Sequence, residues 1–175
     1  MVDWLNSVYD VDTLHQAQRS FGLSGNIQLR SFLSEKGIEL FGHLKFRHVY
    51  VPEKYCYSIA DGPELKGFDA VLSSIVGQKL KAKSVSCFMF GRGDYTLLYD
   101  AIKPGSGVAF FLDLFDFDES LGGFSSFLKD GKEVFRVVAK SNSLALINQS
   151  GLKSFVKFVN HHAKNPRVFL YGVLQ

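Results

Sequence analysis

From about residue 81 onward the chain is a succession of short apolar or alternating segments: VSCFMF, YTLLYDAI, VAFFLDLF, GGFSSFL, EVFRVVA, SLALIN, FVKFV and RVFLYGVL. Between them stand GRGD, KPGSG, DESLGG, KDGK, KSNS, NQSG and AKNP. Such turn-forming clusters, recurring every ~8 to 14 residues, predict eight strands. The first 80 residues read differently. Leu5, Val8, Tyr9, Val11, Leu14 and Phe21 fall at loosely helical intervals and, with Asp10 or Asp12 as N-cap, predict a helix over about residues 11–20. NIQLRSFLS predicts a short strand leading into a second helix from Ser34 to Leu44, with Ser34 as its cap and Glu35 and Glu39 near the positive end of its dipole. In KFRHVYVPEKYCYSI, Pro52 implies a break or a sheet edge. A third helix is expected from Phe68 to Leu80.

Helices followed by strands describe a mainly β, α+β molecule: a jelly roll, or double-stranded β-helix of cupin-like type, braced on one side by helices. No repeat and no low-complexity stretch interrupts it. A single domain over residues 1–175 is expected, with 1–80 as a helix-rich support region and 81–175 as the jelly-roll strands.

Composition strengthens the β reading. The 175 residues include 17 Phe and 7 Tyr but one Trp, side chains that favour strands and fill the space between sheets. A net charge of +3 is too small a bias to imply a nucleic-acid partner. Lys79, Lys81 and Lys83 alternate in QKLKAKS, which on a strand places three ammonium groups on one solvated edge, without aromatic residues between them to stack on bases. The N-terminus MVDWLNSVYDVD lacks the basic-then-apolar pattern of a secretion signal, and no apolar run approaches the ~20 residues that span a membrane. A soluble, cytoplasmic protein is expected, with no membrane partner.

Few residues offer chemistry. Cys56 and Cys87 are a pair without CxxC spacing, set in apolar runs, and read as buried, inert thiols. Gly91-Arg92-Gly93 lacks the third glycine of a phosphate loop and reads as a tight turn. The RGD string within GRGDY would need a secreted, exposed loop to act in adhesion. LDLFDFDES, with Asp113, Asp116, Asp118 and Glu119, reads as a solvated loop, since a calcium loop wants a glycine and distal glutamate spacing absent here. His15, His43 and His48 stand in the N-terminal third without ligand spacing to a carboxylate. His161 and His162 are adjacent, so at most one could face a barrel interior, and the following Lys164-Asn165-Pro166 puts them in a turn.

Taken in order, FLSEKGIEL, FGRGDYTLLYDAI, LGGFSSFL, KSNSLALIN and SFVKFVNHHAKNPRVFLYGVL resemble the prolyl-hydroxylase-like branch of the 2-oxoglutarate/Fe(II)-dependent oxygenases, in particular the group that hydroxylates a ribosomal-protein proline. The resemblance runs from FLSEKGIEL to the C-terminus. It implies a His-x-Asp pair on one strand and a second His late in the barrel, leaving positions for 2-oxoglutarate and dioxygen. Laid without a gap on a DY-x-L-x-H-x-D pattern, GDYTLLYDAI puts Tyr99 at the His position, Asp100 between, and Ala101 at the Asp position. A shift of one residue recovers Asp100 as carboxylate, but puts Leu98 at the His position and turns every side chain to the other face. The distal His position falls on Val156. What the resemblance leaves in place is Arg167, as the fork that grips the far carboxylate of 2-oxoglutarate.

The expectation is therefore a divergent member without its metal triad, with no cofactor, acting in protein binding or assembly; in the same oxygenase group a metal-free barrel domain accompanies the catalytic one. Arg167 would remain as an anchor for a small dicarboxylate, with Tyr99, Ala101 and Val156 as vestigial pocket positions. The alternative is an active dioxygenase that hydroxylates a protein side chain with Fe(II) and 2-oxoglutarate, using Asp100 and either His161 or His162.

Overall fold

A computed structural model describes residues 2–97 and 107–175. The elements run in the order α1 (Val11–Ser24), β1 (Asn26–Arg30), α2 (Glu35–Glu39), β2 (Arg47–Val51), β3 (Tyr55–Asp61), α3 (Phe68–Val76), β4 (Ala82–Phe90), β5 (Tyr95–Thr96), β6 (Val108–Asp113), β7 (Ser125–Lys129), β8 (Lys132–Val137), β9 (Ser143–Asn148), β10 (Lys153–Val156) and β11 (Arg167–Leu174), with a 3-10 turn at Glu119–Leu121 before β7. Each of the eight segments after residue 81 contributes a strand. The three α-helices among the described residues lie within residues 1–80, as do three strands that join the larger sheet.

Local chemistry sets the helix ends. Asp10 accepts the Thr13 N–H and caps α1, and Gly25, at φ 70°, ends it with its own N–H on the Phe21 carbonyl. Ser34 caps α2 as its sequence implies, accepting the Gly37 N–H. The helix then stops at Glu39 instead of reaching Leu44, because Gly37 and Gly42 weaken helical propensity and residues 40–43 close as turns. Likewise α3 ends at Val76 and not at Leu80, since Gly77 adopts φ 80°. Pro52 sits in the turn joining β2 to β3, and β2 is an edge strand of the sheet.

The major sheet has the order β1-β9-β6-β11-β4-β3-β2, with β5 paired to β3; the minor sheet is β10-β7-β8. All strand pairs are antiparallel. Both faces of the central strands are covered, so β6, β9 and β11 read as near-continuous apolar runs, and alternation decides which core each side chain enters. Val108, Phe110, Leu112, Leu144, Leu146, Val168 and Leu170 point to the helices, where Trp4, Phe21, Phe32, Phe68, Leu72 and Ile75 meet them. Ala109, Phe111, Ala145, Ile147, Phe169 and Tyr171 point between the two sheets, against Phe127, Val137 and Val156. This is a double-stranded β-helix with helices packed on its major sheet. No described helix is long and apolar enough to cross a membrane.

The three lysines do not line a strand edge. Lys79 and Lys81 precede β4, only Lys83 lies on it, and β4 is an interior strand between β11 and β3. All three are exposed.

Candidate functional site: the interior of the barrel

Arg167 begins β11 and projects into the space between the sheets, where its side chain is fully buried. A guanidinium cannot be deprotonated there and must be paired. Asp113, at the end of β6 on the neighbouring strand, supplies the partner: Arg167 Nε donates to Oδ1 at 2.7 Å and Nη2 to Oδ2 at 2.9 Å, a fork-to-fork pair. Nη1 donates to the Gly123 carbonyl and to Ser125 Oγ, each at 2.9 Å. Four of the five N–H donors are thereby engaged, and the Arg167 Cζ lies 4.5 Å from the centre of the Phe169 ring. Burial pushes the Asp113 carboxyl above its usual range, while the charge and hydrogen bonds of Arg167 pull it back. Asp113 is thus no part of a solvated loop, as LDLFDFDES implied; Asp116 and Asp118, further along, are exposed, and Asp118 caps the 3-10 turn.

The glycine pair before β7 makes this arrangement possible. Gly122 adopts φ 87°, and a Cβ there would collide with the Phe158 carbonyl oxygen. Only the absence of a side chain lets the chain pass close enough for the next carbonyl, that of Gly123, to reach Arg167.

Val156 ends β10 and is buried, with its N–H donating to Thr96 Oγ1 at 2.8 Å. That bond ties the minor sheet to β5, the strand leading towards the first metal position of the resemblance. Tyr99, Asp100 and Ala101 lie outside the described residues. Around Val156 the interior is filled by rings: Phe90, Phe111, Phe127 and Phe169 are essentially inaccessible to solvent. Phe90 stacks on Phe169 at 5.8 Å between centroids, and Phe111 meets Phe127 edge-on at 5.8 Å and Tyr171 at 4.9 Å. The Tyr171 hydroxyl is buried without a hydrogen-bond partner among the described residues, and desolvation holds its pKa well above the usual value.

His161 and His162 lie in an exposed turn with ring centroids 4.0 Å apart. His15 and His43 are exposed as well. Gly91 to Gly93 form the expected tight turn: the Asp94 N–H donates to the Gly91 carbonyl, and Gly93 has φ 83°. Cys87 is buried, as the sequence implied, and burial raises its thiol pKa to about 12. Cys56 is not. It is half-buried beside two polar groups, His48 and Asp94, a convergence the sequence reading missed because its members come from three separate elements. Burial, then the hydrogen bond to Asp94 and its charge, push the Cys56 thiol up to about 11.

The double-stranded β-helix is similar in fold to solved prolyl hydroxylases and other 2OG-Fe(II) oxygenases. A prolyl-4-hydroxylase from Pseudomonas putida superposes with a TM-score of 0.64 at 16% identity, over 93% of this chain and 98% of that one. An oxidoreductase of the 2OG-Fe(II) oxygenase family from Burkholderia pseudomallei gives 0.68 at 11% identity, over 93% and 90%. A prolyl hydroxylase from Trichoplax adhaerens, in complex with a peptide fragment of the hypoxia-inducible-factor oxygen degradation domain, gives 0.60 at 13% identity, over 94% and 93%. At these identities the likeness establishes the fold. No protein-family model and no curated protein sequence matches the chain.

Iron and 2-oxoglutarate are the groups that the resemblance implies, and two of the three positions it gives the metal, Tyr99 and Ala101, lie outside the described residues. Val156 has no donor atom for a metal. The Arg167 fork already holds a carboxylate that belongs to the chain.

Proposed function

We propose that this chain is a non-catalytic form of the oxygenase barrel that acts in protein binding or assembly. The observation that carries the reading is the Asp113–Arg167 pair. In an oxygenase the arginine fork is kept for the far carboxylate of 2-oxoglutarate; here Asp113 fills both prongs from within, at 2.7 and 2.9 Å. The packed rings of Phe90, Phe111, Phe127 and Phe169 occupy the space beside it. A dissolved dicarboxylate reaches Arg167 only if Asp113 yields. With the interior given over to packing, the outer surface is what remains to work with, including the exposed side chains Tyr50 on edge strand β2 and Val134 on edge strand β8. A protein partner suits such edges, which offer unpaired backbone groups for strand addition.

The test is calorimetric titration of the purified protein with Mn(II) or Fe(II), with and without 2-oxoglutarate. We expect no metal binding that 2-oxoglutarate strengthens and no rise in melting temperature with 2-oxoglutarate alone. Tight binding that depends on both would establish the active dioxygenase, with Asp100 and either His161 or His162 among the ligands, and overturn the proposal.

A further inference from the structure

Away from Arg167, at the corner where β2, β3 and the turn before β5 meet, three groups of ligand chemistry converge. His48 lies on β2 opposite Ser58, and Cys56 lies on β3 two residues before Ser58, so their side chains share one face of the sheet. Cys56 pairs with Tyr95 of β5, and the turn residue just before that strand, Asp94, turns its carboxylate onto the Cys56 thiol. Cys56 Sγ is 3.1 Å from Asp94 Oδ1 and 3.7 Å from His48 Nε2, and the three ligand atoms lie within 4.8 Å of one another. From these distances we infer that His48, Cys56 and Asp94 form a zinc-type divalent cation site, distinct from the iron position of the oxygenase barrel.

Geometry, charge and support all bear on this assignment. Zinc bonds of ~2.3 Å to sulfur and ~2.0–2.1 Å to nitrogen or oxygen, in a tetrahedron, place neighbouring ligand atoms roughly 3.3–3.6 Å apart. The sulfur–oxygen and sulfur–nitrogen separations bracket that range. The remaining adjustment falls on His48, whose exposed ring is free to swing. A thiolate and a carboxylate supply two negative charges and the imidazole none, which neutralises a dication. The mix of sulfur, nitrogen and oxygen donors suits zinc over the oxygen-seeking calcium and magnesium. Asp94 is oriented from behind, because its other oxygen, Oδ2, accepts the Gly91 N–H at 2.8 Å and leaves Oδ1 for the ion. Three protein ligands leave a fourth position for water. On binding, the thiol proton passes to the buffer and a sulfur lone pair to the metal.

The site is read with Co(II), whose bond to a thiolate gives a charge-transfer band in the near ultraviolet. One equivalent of Co(II) should produce that band in the intact protein, zinc should displace it, and zinc should protect Cys56 from alkylation. Cys56→Ser should abolish the band and Cys87→Ala should keep it. His48→Ala, a change at an exposed position, should weaken affinity by about tenfold or more. Binding at this corner should not respond to 2-oxoglutarate, which separates it from an iron held inside the barrel. Absence of the band in the intact protein, or its survival in Cys56→Ser, overturns the assignment.

Discussion

Asp113 and Arg167 carry the largest single electrostatic commitment in the described interior. Both side chains are fully buried, so each is tolerable only because of the other. Removing one partner leaves an uncompensated charge in a low-dielectric space, which typically costs about 3–5 kcal/mol. Asp113→Ala should therefore lower the unfolding free energy by that amount, read as a drop in the urea midpoint at an unchanged slope. The double replacement Asp113→Leu with Arg167→Met should recover most of the loss, since a buried pair exchanged for apolar groups of similar volume is often neutral or better. If the double variant were no more stable than the single, the cost would lie in shape and not in charge. The role of Asp113 was hidden in the sequence for a physical reason: a lone carboxylate ending an apolar run and followed by FDFDES looks like the start of a loop, and its partner is 54 residues away. Arg167 was visible because the resemblance keeps a basic residue there to grip a carboxylate. The carboxylate it implied was that of 2-oxoglutarate, and the one the fork holds is Asp113.

Among elements, the turn into β7 is the most exacting. The Gly122 Cα passes under the Phe158 carbonyl, and any side chain would collide with backbone, which cannot rotate out of the way. Gly122→Ala should cost roughly 1–3 kcal/mol from overpacking, with further loss from the positive φ. Thermal melting measures that loss, and an unchanged melting temperature would mean that the turn relaxes freely. Gly93→Ala makes the contrast, since it shares a positive φ but has open space around its missing Cβ. The strands themselves were legible, because turn clusters punctuate them and Phe, Val and Leu fill them. Their two-sided burial was legible only in part: VAFFLD and RVFLYGVL do not say which residues face the helices and which face the other sheet. Helix lengths were overread where glycines shorten α2 and α3. The His48, Cys56 and Asp94 corner was illegible because Cys56 and Asp94 stand 38 residues apart and only strand register joins them.

At the scale of the whole molecule, the N-terminal layer is fastened to the sheet by aromatic side chains. Trp4 donates to the Lys66 carbonyl at 2.8 Å and packs against Phe32 and Phe68, and Tyr9 donates its hydroxyl to the Arg30 carbonyl. Desolvation raises the Tyr9 pKa from 10.0 to about 12. Its neutral form is favoured by folding, so the stabilisation is complete below pH 10.0 and is lost as pH rises through about 12. Melting temperatures measured from pH 8 to pH 12 should fall steeply at the alkaline end. Tyr9→Phe should start lower and fall less over that window. A parallel decline in both proteins would assign the alkaline loss to other groups, such as Cys87.

A carboxylate built into the neighbouring strand never diffuses away. Held by its own backbone, Asp113 faces Arg167 at a local concentration on the order of millimolar or far higher, whatever the cell contains. Any dissolved acid that approaches Arg167 must therefore compete against a rival that is always in place.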